Sequence, residues 1–249
     1  RATTTASPEI EQAIVSDDGR FLLVRWSDNA VDVWDIETHR KLGEFQSEET
    51  FQDIVWTDDG STLLLAEVYL VRAIDVESGN ELFRFQHGSS EFITQVKWSP
   101  NERYIATASW DKTVRIWSAK TGEEFRVLRH RDDVESLRWH PNGSMLLSGS
   151  RDGTARVWNV DTGQEVFTIR DDEIDYGTWG EWDSSGTRLF LVLSNVVQVY
   201  DTRISELISQ ACSRVGRNMS QADWRLYFPD QPYRQTCPSL PPYDGRSLD

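Results

Sequence analysis

Cysteine is scarce in this chain, with Cys212 and Cys237 the two it has, so a disulfide-dense secreted scaffold is excluded. Long apolar runs are missing as well. The longest, from Leu63 to Val71, is broken by Glu67 and is far too short to span a bilayer. No charged segment followed by an apolar one opens the chain, so no signal peptide is read there. Basic residues are outnumbered, 26 Lys and Arg against 41 Asp and Glu, giving a formal net charge of −15. A surface of that sign repels phosphate backbones, so nucleic acid is not an expected partner. Phosphate-cradling Gly-rich loops, His-Glu-x-x-His, Cys-x-x-Cys and Gly-x-Ser-x-Gly motifs are all absent. The four histidines, at 39, 87, 130 and 140, form no ligand cluster, and neither cofactor nor metal is expected.

What the chain has is aromatic weight and repetition. Eleven Trp among 38% hydrophobic residues suffice for a core. An aromatic or apolar residue followed by a short polar one closes a β-run at Trp34-Asp35, Ile74-Asp75, Trp117-Ser118, Trp158-Asn159 and Tyr200-Asp201, at spacings of 40, 43, 41 and 42. Tight turns at Ser16-Asp17, Thr57-Asp58, Ser99-Pro100, His140-Pro141 and Asp183-Ser184 march with the same period. Two landmarks with one period predict an all-β chain of four-stranded blades. Within residues 131–171, Val134 to Trp139, Met145 to Ser150, Thr154 to Trp158 and Glu165 to Ile169 read as strands separated by turn residues.

The segments "SGSRDGTARVWNV" and "TASWDKTVRIWSA" closely resemble the central strands of the WD40 family, and the resemblance covers about residues 9–202. It implies β-propeller blades held by buried His, Ser or Thr, Asp and Trp. The fourth repeat supplies His130, Ser150, Asp152 and Trp158. The third supplies Ser109, Asp111 and Trp117, with Ser89 at the expected His position. The first retains Asp28 and Trp34, while Val68 and Ser194 stand at the Asp position of the second and fifth. Such a set also has the composition of a catalytic triad, but the repeat accounts for its spacing, and no catalytic residue is assigned.

Five repeats are expected, at about 9–48, 49–88, 89–130, 131–171 and 172–202. A seven-bladed ring is usual for the family. Because the chain starts at Arg1, it is expected to be a piece of something longer. The β-prone Arg1 to Thr5 would then be the outer strand of a preceding blade, or else the missing strand of the fifth. From 203 to 249 a helical and Pro-rich extension is expected. Ile204, Leu207, Ile208, Ala211, Cys212 and Val215 recur at helical spacing, and Trp224, Tyr227, Phe228 and Tyr233 serve as docking anchors. This stretch resembles the terminal extension of bacterial multidomain WD40 signalling proteins such as signal-transducing STAND NTPases. Cys212 and Cys237 are read as two buried thiols or as a disulfide pinning that tail.

The family implies that residues before the turn Asp and before each first strand face one rim. These are Ser27, Phe92, Trp110, Asp133, Arg151 and Tyr176, the candidate partner-binding set. "DDEIDYGTWGEWD", residues 171–183, is a second candidate for basic side chains, or else an ordinary solvated loop. The expected function is a cytoplasmic, non-catalytic protein-binding platform, the sensor or autoinhibitory part of a signalling protein. A small-ligand or glycan-binding propeller is the alternative. Its partners are expected to be other domains of the same chain or a signalling protein, not a membrane.

Overall fold

The computed structural model describes residues 7–88, 91–170, 179–193 and 196–202. Five antiparallel sheets follow one another along the chain. The first contains β1 (Ile10–Val15), β2 (Phe21–Trp26), β3 (Ala30–Asp35) and β4 (Arg40–Gln46). The second contains β5 (Asp53–Trp56), β6 (Thr62–Ala66), β7 (Leu70–Asp75) and β8 (Glu81–Gln86). Then come β9 (Ile93–Trp98), β10 (Tyr104–Ser109), β11 (Thr113–Ser118) and β12 (Glu124–Arg129). The fourth sheet has β13 (Val134–Trp139), β14 (Met145–Ser150), β15 (Thr154–Asn159) and β16 (Glu165–Arg170). Three strands form the fifth among the described residues, β17 (Trp179–Trp182), β18 (Arg188–Leu193) and β19 (Val196–Asp201). Every sheet keeps its strands in sequence order, so each is a blade made of consecutive hairpins. Among the described residues there is no helix.

The hairpin joining first and second strands is the same in all five blades. The N–H of Ser16, Thr57, Ser99, His140 and Asp183 donates to the carbonyl five residues later, each time at 2.9 Å. Three residues into the turn the backbone takes a positive φ, supplied by glycine in four blades and by Glu102, at 53°, in the third.

Blades stack through their middle strands, and one strand can serve two interfaces because alternate side chains face opposite sides. In β6, Leu63 and Leu65 join a core with Phe21, Leu23, Val31 and Val33 of the first blade. Leu64 and Ala66 face the other way, onto Ile93, Val96 and Ile105 of the third. That two-sided burial explains why the strand reads "TLLLA" instead of alternating with polar residues. Equivalent cores join third to fourth and fourth to fifth blades. Outer strands such as β16 are mostly exposed. Among the described residues no core cluster joins the fifth blade to the first.

Candidate functional site

Among the described residues, the third and fourth blades enclose a polar chain within their apolar packing. In the fourth, the Trp158 indole N–H donates to Ser148 Oγ at 2.7 Å, and His130 Nε2 lies 2.7 Å from that same oxygen. Asp152 Oδ2 is 3.4 Å from His130 Nδ1. The carboxylate facing Nδ1 favours the tautomer with its proton on that nitrogen, so Nε2 accepts a hydrogen bond from the Ser148 hydroxyl while the same oxygen accepts the indole N–H. The third blade repeats this order. Trp117 donates to Thr107 at 2.9 Å, Thr107 lies 2.7 Å from His87 Nε2, and His87 Nδ1 lies 2.9 Å from Asp111.

Three sequence expectations are corrected here. The third blade's histidine is His87, not absent in favour of Ser89, because the link from β8 to β9 is longer than that from β12 to β13. The hydroxyls bonded to the histidines are Thr107 and Ser148. Ser109 and Ser150, two residues on, instead accept the N–H of Asp111 and Asp152 and so shape the turns. Asp28 is exposed and caps the N–H of Ala30 at 3.2 Å, while Trp34 is half-buried. The first blade's buried carboxylates are Asp32, paired with Lys41 at 2.7 Å, and Asp35, which accepts from Thr38.

Burial opposes ionisation of Asp111, but hydrogen bonds from His87 and Thr113 outweigh it and hold its carboxyl well below the usual range. Asp152 behaves alike: burial opposes, and His130 and Thr154 win. Burial also lowers the pKa of His130, with Asp152 pulling the other way. The order hydroxyl, imidazole, carboxylate is that of a nucleophilic triad. Yet Ser148 and the His130 side chain are both 0% exposed. No substrate reaches the oxygen, whose lone pair already holds an indole, so the group works as a brace.

The second blade lacks all four members. Ser47, Leu65 and Ile74 occupy the places of histidine, hydroxyl and tryptophan, as the matched registers of the blades show. Its turn between second and third strands is also tighter, with the Glu67 N–H bonded to the Leu70 carbonyl at 2.8 Å. Val68 within it is buried, and Glu67 pairs with Arg72 at 2.8 Å.

The rim at these turns carries the candidate surface. Trp110 N–H donates to the Phe92 carbonyl, Arg151 N–H to that of Asp133, and Ser27 N–H to that of Glu9, so three blades present one geometry. Their side chains form a continuous track. The Tyr69 and Phe92 rings lie 6.0 Å apart, Phe92 and Trp110 4.8 Å, and the Arg151 guanidinium sits 5.4 Å from the Trp110 ring centre. Glu135 locks the end, accepting from the Trp110 indole at 3.1 Å and holding Arg151 at 2.8 Å. Arg151 also reaches Asp133 at 3.4 Å. The three rings are half-buried, so Trp110 packs on its neighbouring blade while keeping an open edge. Ser27 stands apart from this track on the first blade, bonded to Glu9. Tyr69 and Glu135 were not singled out from the sequence, since nothing in their spacing announces a meeting across blades.

Tyr176, Cys212, Cys237 and the extension lie outside the described residues, as do residues 171–178 of the acidic segment. Of the rest of that segment, Trp182 is buried against His140 at 4.8 Å, and Trp179 is 44% exposed. Among the described residues no group of three or more His, Cys, Asp or Glu is placed to hold a metal, and no helix is long and apolar enough to cross a membrane.

Comparison with known proteins matches residues 79–118 and 122–159 to the family model described as WD domain, G-beta repeat. The chain is 30% identical over 109 residues to a WD repeat-containing protein, SL1-17, of Schistosoma mansoni, covering 43% of this chain and 36% of that protein. It is 30% identical over 105 residues to the mitotic checkpoint protein BUB3.1 of Arabidopsis thaliana, covering 42% and 30%. With a guanine nucleotide-binding protein subunit beta of Zea mays it shares 25% over 130 residues, covering 49% and 34%. The matched stretches thus span about a third of the length of these relatives.

Proposed function

From the premise that these blades carry WD40 repeats, we propose that the chain is a non-catalytic protein-binding platform whose partner docks on the rim at Tyr69, Phe92, Trp110 and Arg151. The observation that carries this is the unbroken aromatic-to-guanidinium track across three blades. Trp, Tyr and Arg are the residue types on which binding energy concentrates. Half-buried rings held by neighbours lose little entropy when a partner covers them. One of the similar proteins is by its printed name a subunit, which agrees with a role in assemblies. The hydroxyl–imidazole pairs of the third and fourth blades are sealed from this surface.

Within a longer protein, the platform acts as a sensor or an autoinhibitory element of a bacterial signalling chain. The supporting feature is the resemblance of the segment from Cys212 to Pro241 to the terminal extensions of such proteins. The test is affinity capture from the native host by the full chain, by Phe92→Ala with Trp110→Ala, and by Arg151→Glu. Proteins retained by the parent should be lost from the first variant, which removes about 2 kcal/mol or more of binding per anchor. An identical retained set in all three would overturn the reading.

A further inference from the structure

We propose that the second blade carries an open socket for a basic side chain, a guanidinium or an ammonium, presented by the partner that docks on the rim. The inference rests on the platform reading, because it names the chemistry of that partner.

The socket arises from what the second blade has lost. Ser47 follows the outer strand of its preceding blade as His87 and His130 do, and its N–H bonds the Asn29 carbonyl as His130 N–H bonds that of Lys112. A hydroxymethyl therefore stands where the next two blades bury an imidazole against a carboxylate. A carboxylate remains, supplied by Glu67 at the end of β6. A cavity of about 450 Å³ opens at this point, lined among others by Ser47, Glu48, Glu49, Glu67, Tyr69 and Arg72.

The charges in it favour a cation. Arg72 is answered by Glu67, and Arg84, which also borders the cavity, is gripped by both oxygens of Glu81. Glu48 and Glu49 are exposed and form no ion pair among the described residues. Tyr69 walls the cavity on the side of the rim and is the first ring of the aromatic track, offering a π-face to a cation. An incoming guanidinium or ammonium would thus meet a carboxylate and an aromatic ring, the kind of neighbours that His87 and His130 meet in their own blades. The rival is an acidic ligand. Arg115 and Arg156 each hold two carboxylates, whereas Arg72 holds one, with Glu67 against its Nη2 and no hydrogen-bond partner at its Nε. Those atoms are sealed from the cavity, however, and an anion would have to pass Glu48 and Glu49.

The probes are capped, fluorescein-labelled peptides of glycine alternating with arginine, glutamate or serine, titrated against the full chain by anisotropy at low and high salt. The arginine peptide should bind. Ser47→His, which refills the space, and the double variant E48Q/E49Q, whose side chains are exposed and form no ion pair among the described residues, should each weaken it about tenfold. Removing two carboxylates elsewhere, Glu123→Gln with Asp161→Asn, should change it by about twofold or less, as general charge screening allows. Equal losses in both double variants, no loss in E48Q/E49Q, or preference for the glutamate peptide would each overturn the socket. If partner capture still requires Phe92 and Trp110 in that event, the platform survives without it. If instead capture ignores both rings while the peptides behave as expected, the platform falls and the socket stands as a site for basic ligands.

Discussion

The fourth and second blades share a strand plan, a register and a place in the stack, but differ in what fills the space beside the third strand. The fourth places Trp158, Ser148, His130 and Asp152 there as a connected polar chain. The second has Ile74, Leu65 and Ser47, together with a tighter turn. Both are four-stranded and both contribute fully buried leucines to the cores on their two sides. Apolar packing between blades therefore suffices to build one. The polar chain adds a lock between the rim turn and the middle strands, and its loss leaves the rim of the second blade hollow.

Breaking the lock should show the largest effect. His130→Ala strips Asp152 and Ser148 of a shared partner and opens a void, which should cost about 3–5 kcal/mol in urea unfolding. Next comes Gly186→Ala, at the junction of fourth and fifth blades. There φ is +69° and a Cβ would sit 2.3 Å from His140 Nε2. About 2 kcal/mol of destabilisation is expected by the same assay.

Acid should act on the locked blades through the same groups. His130 is held below its ordinary value of 6.5, so below that pH the unfolded chain binds the extra proton and stability falls. Asp111 and Asp152 are held below 3.8, so their contribution is intact above that pH and a second loss begins beneath it. Thermal melting across this range should fall in two stages, and His130→Gln should diminish the upper stage while the lower remains. Acid loss with one stage only, starting below 3.8, would show that the imidazole contributes nothing. The smallest effect is expected where the lock is already missing. Ser47→Ala, which removes one hydrogen bond to the Glu49 N–H, should cost about 1 kcal/mol or less. A cost equal to that of His130→Ala would end the contrast between the blades.

Much of this was legible in the chain. The turn residues repeat because the hairpin between first and second strands needs a side-chain or backbone acceptor and a positive φ at fixed offsets. Trp117 and Trp158 repeat because each packs into the core shared with the preceding blade. His87 was missed because counting back from Asp111 by the spacing of the fourth repeat leads to Ser89, and one longer link breaks that count. Ser148 and Ser150 share a strand face, so period alone could not say which of them meets the indole.

Strand order, the period of the repeat and the histidine, carboxylate and tryptophan of the fourth blade can be read from the sequence alone. These follow from local turn chemistry and from alternation along single strands. Which hydroxyl and which histidine complete each lock is set by the three-dimensional structure. It alone brought Tyr69, Phe92, Trp110 and Arg151 into one track and left the second blade hollow. Those outcomes depend on packing between blades, where residues far apart in the chain become neighbours through loop lengths that no period encodes.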